Sequence, residues 1–399
     1  MHARPPPTSH SVHHPALRTR DGSEAKVRYE ELFFDLVYVF AVTQLSHYLL
    51  AHLTPLGALE TLLLWFAVWL GWQYTCWVTN WFDPRSAPIR LMLFGVMLAG
   101  LVMSAAIPGA FAERAQVFAA AFVAIQVGRS LFICLLLPRH HVLAANFRRI
   151  LGWNCIAAVF WIAGALNAGP ARMACWAVAI ACEYVSPMFG FRLPGLGRSR
   201  TADWTIEGGH LAERCQLFVI MALGESILLT GDTFAKTHTL GSLSTVAFLS
   251  AFAGSLAMWW LYFDTSSEHG SHVIAHADDP GRLGAYFHYV HVLIVGGIIV
   301  TAVGNELVIA HPHGHMALPE LIVMLGAPLA YLLGNGLYKR IVYGAFPASH
   351  AVGMAATAAL AVAAPRLDLL AMNVLTTAVI LAVAAWDTYR SRAAVPVGA

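Results

Sequence analysis

Glu31 and Asp35 stand four residues apart in ELFFDLVYVFAVTQLSH, a run otherwise apolar enough to cross a membrane. That spacing puts both carboxylates on one helix face, one turn apart. Gln44 and His47 form a second polar patch further along the same run. Comparable groups recur downstream: Arg129; His210, Glu213 and Arg214; Gly224-Glu225-Ser226; His288 and His291; Asn305-Glu306. An ionised side chain at the centre of a bilayer costs roughly 2.5–3.5 kcal/mol even on the mildest scale. Such residues therefore pair, become neutral, or face water or a cation. Arg129 and Arg214 can neutralise two of Glu31, Asp35 and Glu213 in ion pairs that fix helix register. The apolar runs hold more carboxylates than that, since Glu183, Glu225 and Glu306 remain. Glu225, Glu306 and His47 are the candidates for a proton or cation site, because carboxylate and imidazole exchange protons near neutral pH. A hydrogen bond that stabilises the bundle is an equally admissible use of them.

Metal chemistry has weaker support. His269, His272 and His276 cluster in one connection and His311, His313 and His315 in another. Imidazole is a common metal ligand, but the two clusters fall on opposite faces and no HExxH occurs. The six cysteines lie in apolar runs without CxxC spacing and read as small buried hydrophobes. There is no GxxxxGK[ST] loop for a nucleotide. The sequence calls for no cofactor.

The elements that position these groups are read from composition and length. Of 399 residues, 58% are hydrophobic and 12% charged, against about 25% charged in ordinary soluble domains. A net charge of +2 with scattered basic residues gives no nucleic-acid footprint. Apolar runs long enough to cross about 30 Å of hydrocarbon fall near 30–52, 58–80, 89–107, 113–137, 147–167, 171–190, 206–230, 242–265, 283–310, 318–340, 346–364 and 367–388. The expected fold is an all-α integral membrane protein of twelve transmembrane helices. Eighteen Lys and Arg lie in the two tails and the even-to-odd loops, against four in the opposite loops. The excess sets both termini in the cytoplasm of a multi-pass protein of the bacterial cytoplasmic membrane. No apolar stretch in residues 1–28 suggests a cleaved signal.

Trp81-Phe82-Asp83 recurs as Tyr262-Phe263-Asp264 at an offset of 181, and Glu31 recurs as Glu213 at 182. Two such offsets point to duplication. The expected organisation is a cytoplasmic tail (1–28), a six-helix repeat (29–195), a second repeat parallel to it (206–390) and a short tail (391–399), with six helices per half making the repeats parallel.

The first-helix run Glu31 to His47 closely resembles the signature of the bacterial low temperature requirement protein A family. Glu213-Arg214 leading to Leu223-Gly-Glu225-Ser226, and Tyr289-Val-His291 through Ala302-Val-Gly304 to His311-Pro312, resemble its seventh- and ninth-helix signatures. That resemblance implies a polytopic membrane protein tied to growth in the cold. Phe33-Phe34-Asp35-Leu-Val-Tyr-Val-Phe-Ala41-Val-Thr43 is more faintly similar to the first helix of potassium channels with a Phe-Ser-Asp signature. Phe34 replaces their serine, and Leu217 stands where the aspartate would recur.

The sequence thus predicts a transporter or channel for protons, potassium or another small solute, with the lipid bilayer as its main partner. Glu31, Asp35, Glu213 and Arg214 would form an inner gate network and Glu225 with Glu306 a deeper site. The competing class is a scaffold or a metal-dependent enzyme acting on lipid.

Overall fold

The computed structural model describes residues 14–20, 26–201, 204–236 and 242–394, with the backbone alone at 242, 265–269 and 391–394. Helices dominate. α1 (Tyr29–Ala51), α2 (Pro55–Trp81), α3 (Ala87–Gly109), α4 (Ala115–Leu136), α5 (Val142–Leu166) and α6 (Gly169–Val185) come first. α7 (Gly208–Lys236), α8 (Ser242–Trp259), α9 (Pro280–Ala310), α10 (Leu318–Tyr343), α11 (Ala348–Ala363) and α12 (Leu369–Ala394) follow. Among the described residues no β-strand forms; two isolated bridges, Leu17 with Phe82 and Leu193 with Gly197, stand outside any strand.

Eleven of the described helices are long and apolar enough to cross a membrane. The exception is α6, where a span over 171–190 was expected. It has 17 residues, about 25 Å at 1.5 Å per residue, and ends in a tight turn at Ser186–Phe189. Pro187 and Gly190 (φ 61°) stop it, and Arg172 and Glu183 are buried along it. Other boundaries also shift. α5 begins at Val142, before the expected 147, because Arg148 and Arg149 reach sideways from the helix to Arg139 O, Leu196 O and Ser199. α8 does not end in a loop near 265. It runs through a π-helical turn (Trp260–Ser267) into Glu268–Ala275.

The packing order follows the chain. α1 packs on α2 and α3, α3 on α4, α4 on α5, α5 on α6, and α6 returns to α2. In the second set α7 packs on α8 and α9, α9 on α10, α10 on α11, α11 on α12, and α12 returns to α8. The two sets meet where α1 and α2 lie against α7 and α9.

Without a hydrophobic drive between helices in lipid, close packing requires small residues at the contacts. Gly297 supplies one, since a Cβ there would lie 2.8 Å from the Tyr331 backbone nitrogen. Gly334 on α10 does the same against Ile294 on α9, at 2.8 Å.

The face at which α1 begins is rich in arginine. The segment before α1 folds back into it: Arg18 N–H donates to Trp81 O at 2.9 Å and Asp83 N–H to Ala16 O at 2.8 Å. Ala16 and Arg18 are buried there.

Candidate functional site

α1, α2 and α7 meet around a charge network with no exposed side-chain surface on Glu31, His210, Arg214 or Asp35. Glu31 Oε2 accepts from Arg18 Nη2 at 2.7 Å and from the Arg28 backbone N–H at 2.9 Å. Its Oε1 meets His210 Nε2 at 2.9 Å and lies 3.2 Å from Arg214 Nη1. Arg214 Nη2 donates to Asp35 Oδ1 at 2.5 Å, and Trp72 Nε1 donates to the same oxygen at 2.7 Å. Asp35 Oδ2 has no hydrogen-bond partner among the described residues.

The arrangement explains why helix 1 keeps its carboxylates: the four-residue spacing turns both toward α2 and α7, and two guanidiniums balance them. Asn80 Nδ2 lies 3.2 Å from His210 Nδ1. An amide N–H₂ only donates, so Nδ1 is the acceptor and Nε2–H is directed at Glu31.

The expected network therefore forms in part. Glu31, Asp35 and Arg214 come together. Glu213 points elsewhere, half-buried, and accepts from Val27 N–H at 3.3 Å. Adjacent residues diverge by about 100° around a helix, so Glu213 and Arg214 cannot share one face.

Arg129 does not join any of these carboxylates. Its guanidinium donates to Thr75 Oγ1 at 2.9 Å, to Gly71 O at 3.3 Å and to Gln126, and lies 5.5 Å from the Tyr74 ring centroid. Behind Gln126 sits Glu183, which accepts from Gln126 Nε2 at 2.8 Å and Trp161 Nε1 at 3.2 Å.

Further along α1 and α7, Thr43 Oγ1 donates to Glu225 Oε1 at 2.5 Å. Glu225 is buried, and beside it the Ser226 hydroxyl has no partner among the described residues. Glu306 is half-buried, with His47, Asp232 and Lys236 close enough to act on its charge. His47 itself is exposed.

His288 and His291 separate onto two surfaces. His291 Nδ1 donates to Phe287 O and its Nε2 accepts from Tyr262 at 2.6 Å, inside the second helix set. His288 Nδ1 donates to Gly284 O at 2.8 Å, its Nε2 has no partner among the described residues, and Trp69, Trp72 and Trp77 surround it.

Among the described residues no three His, Cys, Asp or Glu side chains gather as a metal cluster. His272 and His276 stack at 4.2 Å on the helix that extends α8, where a loop was expected; the side chain of His269 lies outside the described residues. On the opposite face His313 bonds Asp368 at 2.8 Å, while His311 and His315 are exposed. The cysteines are also mixed: Cys76 and Cys215 are buried, Cys155 exposed.

Three groups escaped the sequence reading. Arg18 counts there as a tail charge, yet it completes the Glu31 pair. Lys339 counts as a loop charge, yet it is buried and pairs with Asp387, which also accepts from Ser349 at 2.5 Å, with His350 3.6 Å away. Its place inside the apolar run of α10 was the available signal. Trp72 gave none, because an indole donor reads as core until its partner is known.

A bundle of long apolar helices with paired charges at its centre defines a polytopic membrane protein. The chain belongs to the family of bacterial low temperature requirement A proteins (LtrA), whose match covers residues 26–385. An uncharacterized protein of Rhizobium meliloti (strain 1021) is 37% identical over 374 residues, which covers 93% of this chain and 91% of that protein.

Proposed function

We propose that the protein is a proton-linked transporter of a small solute, built from two parallel six-helix halves whose path follows the α1–α7 contact. One observation carries this reading. Buried ionisable side chains form a file along that contact, from Arg18, Glu31 and His210 through Asp35 and Arg214 to Glu225, which Thr43 bonds, while His47, Asp232 and Lys236 further along α1 and α7 are exposed. Glu225 lies eleven residues beyond Arg214, about 16 Å along α7.

Duplication is supported by the packing order, which is the same in both sets of six helices. It is supported too by the cation of each fourth helix and the carboxylate of each sixth: Arg129 with Glu183, and Lys339 with Asp387. In parallel repeats, alternating access follows from rocking one half against the other around a site at their interface. The excess of Lys and Arg makes the arginine-rich face cytoplasmic, with both termini there, in the bacterial cytoplasmic membrane.

Arg18 and Arg214 favour a proton over a potassium ion. A cation moving along the file would meet two fixed, buried guanidiniums. A proton need only hop between carboxylates, and Asp35 has one oxygen with no hydrogen-bond partner among the described residues to receive it. Arg18 closes the cytoplasmic end.

The test is proton flux in liposomes holding the purified protein and a pH-sensitive dye. A pH gradient should collapse faster than in empty vesicles. Asp35→Asn and Glu225→Gln, checked for unchanged melting, should slow the collapse at least tenfold. Collapse no faster than in empty vesicles, with and without a mixture of small solutes outside, rejects the proposal and favours a scaffold or lipid chemistry.

A further inference from the structure

A second polar site lies away from the α1–α7 file. Between α2, α4, α5, the 186–201 connection and the start of α9 is a cavity of about 780 Å³, within the range of small-molecule pockets. Five arginines line it: Arg129, Arg192, Arg198, Arg200 and Arg282. Among the described residues Asp279 is the one carboxylate in that lining, and it is already engaged by Thr201 Oγ1 at 2.8 Å and the Arg282 backbone N–H at 3.0 Å. Among the described residues none of the five guanidiniums has a carboxylate within ion-pair distance.

Four of them are exposed around the mouth; Arg129, 2% exposed, forms the floor. A buried guanidinium held by neutral acceptors alone keeps an uncompensated charge. Glu183 stands one hydrogen bond further back, behind Gln126.

Two other buried groups lining the cavity are orphaned. Trp81 is 4% exposed and its indole N–H has no partner among the described residues; Gln73 is 5% exposed and its carbonyl oxygen has none among them either. A buried polar group left unpaired costs about 1–3 kcal/mol; an incoming oxygen removes that cost at the Trp81 N–H, and a hydroxyl or protonated oxygen of the ligand would remove it at the Gln73 carbonyl. The walls are aromatic: Trp204 packs edge to face with Trp77 and Trp81, which tilt against each other, all with centroids 5.6–5.9 Å apart. Tyr286 and Tyr289 face the cavity from α9.

The outer wall is held in place as well. Phe191 N–H donates to Ser186 O and Ser199 N–H to Gly190 O, and Arg149 clamps Leu196 O and Ser199. Gly190 sits at φ 61°, and a Cβ there would lie 2.2 Å from Ser199 O.

We propose that this cavity binds an organic anion: a phosphate or carboxylate carried on a flat or apolar body, with the anion against the arginines and the body against the tryptophans. Guanidinium forks match phosphate and carboxylate oxygens in pairs, and basic pockets between helices suit anionic headgroups. The occupant reaches the site either from the adjoining leaflet as an anionic lipid or from solution as a small organic phosphate. The assignment does not rest on transport.

Two arms separate those sources. In nanodiscs of phosphatidylcholine, phenyl phosphate is titrated calorimetrically beside inorganic phosphate. In nanodiscs of mixed phosphatidylcholine and phosphatidylglycerol, native mass spectrometry reads which lipid stays bound. The variants are Arg200→Gln/Arg282→Gln, exposed at the rim, and Arg129→Gln, each checked by melting. Saturable phenyl phosphate binding at one site, tighter than inorganic phosphate and at least tenfold weaker in the rim variant, supports the proposal with a soluble occupant. Retention of phosphatidylglycerol over phosphatidylcholine, lost in the rim variant, supports it with a lipid. Failure of both arms overturns it, as does binding that the rim and floor variants both leave unchanged.

Discussion

Arg214→Met tests the reasoning about buried charge most sharply. Arg214 contacts Asp35 at 2.5 Å and Glu31 at 3.2 Å, and none of the three side chains has exposed surface. Removing one partner of a buried pair costs about 3–5 kcal/mol, because a charge is left uncompensated. The loss does not fall evenly. Glu31 keeps Arg18 at 2.7 Å, His210 at 2.9 Å and the Arg28 N–H at 2.9 Å, whereas Asp35 keeps only Trp72 at 2.7 Å. Most of the penalty is therefore the ionised Asp35. Asp35→Asn in the Arg214→Met background removes that charge and should recover about 2 kcal/mol, near the upper range of coupling between contacting residues. The assay is reversible unfolding of the four members of the cycle in mild detergent. At about 1.4 kcal/mol per decade, the single variant should lose at least a hundredfold in its folded-to-unfolded ratio and the double variant should regain at least tenfold. Additive losses, with no recovery, would refute the claim that Arg214 and Asp35 act as a balanced pair.

Gly297→Val should separate α9 from α10, since its Cβ would meet the Tyr331 backbone nitrogen at 2.8 Å; overpacking of this kind costs about 1–3 kcal/mol and would lower the melting temperature. Gly95→Val, with nothing within 4 Å of its Cβ, should leave melting almost unchanged in the same assay. On the face opposite the arginine-rich one, the Ala371 N–H and then His313 hold the Asp368 carboxyl below its usual range. A depressed carboxyl stabilises fully above the ordinary aspartate value, about 3.9, and loses that contribution as pH falls through its own lower value. Amide exchange at the start of α12 should accordingly quicken only at strongly acidic pH, and Asp368→Asn should quicken it at neutral pH.

Much of the helical architecture was legible because lipid imposes length: runs near 20 apolar residues recur, and proline and glycine mark their ends. Where the structure departs, helix-stopping residues or side-chain reach intervene. α6 is short because Pro187 and Gly190 end it. α5 starts early because Arg148 and Arg149 send long side chains out of an otherwise continuous helix.

In the candidate site, helix spacing placed Glu31 and Asp35 on one face, and Arg214 was one of two arginines offered as partners for two of Glu31, Asp35 and Glu213. The role of Arg18 did not, since a tail residue thirteen positions before Glu31 carries no periodic signal. Nor did Arg129 pair as expected. A carboxylate and an arginine on different helices meet only if the crossing brings them together, and α4 instead turns Arg129 toward α2 and the cavity. The arginine cavity was illegible for the same reason, since its walls come from segments more than two hundred residues apart in the chain.

The central claim is that α1 and α7 flank a path that opens to each side of the membrane in turn. Ser226 is 1% exposed and its hydroxyl has no partner among the described residues. Ser226→Cys, in a background lacking the native cysteines, can be treated with a membrane-impermeant maleimide in oriented vesicles. The account predicts labelling from both faces, at rates that shift in opposite directions when the pH gradient is reversed. A folded variant that resists labelling from both faces under every gradient would contradict it.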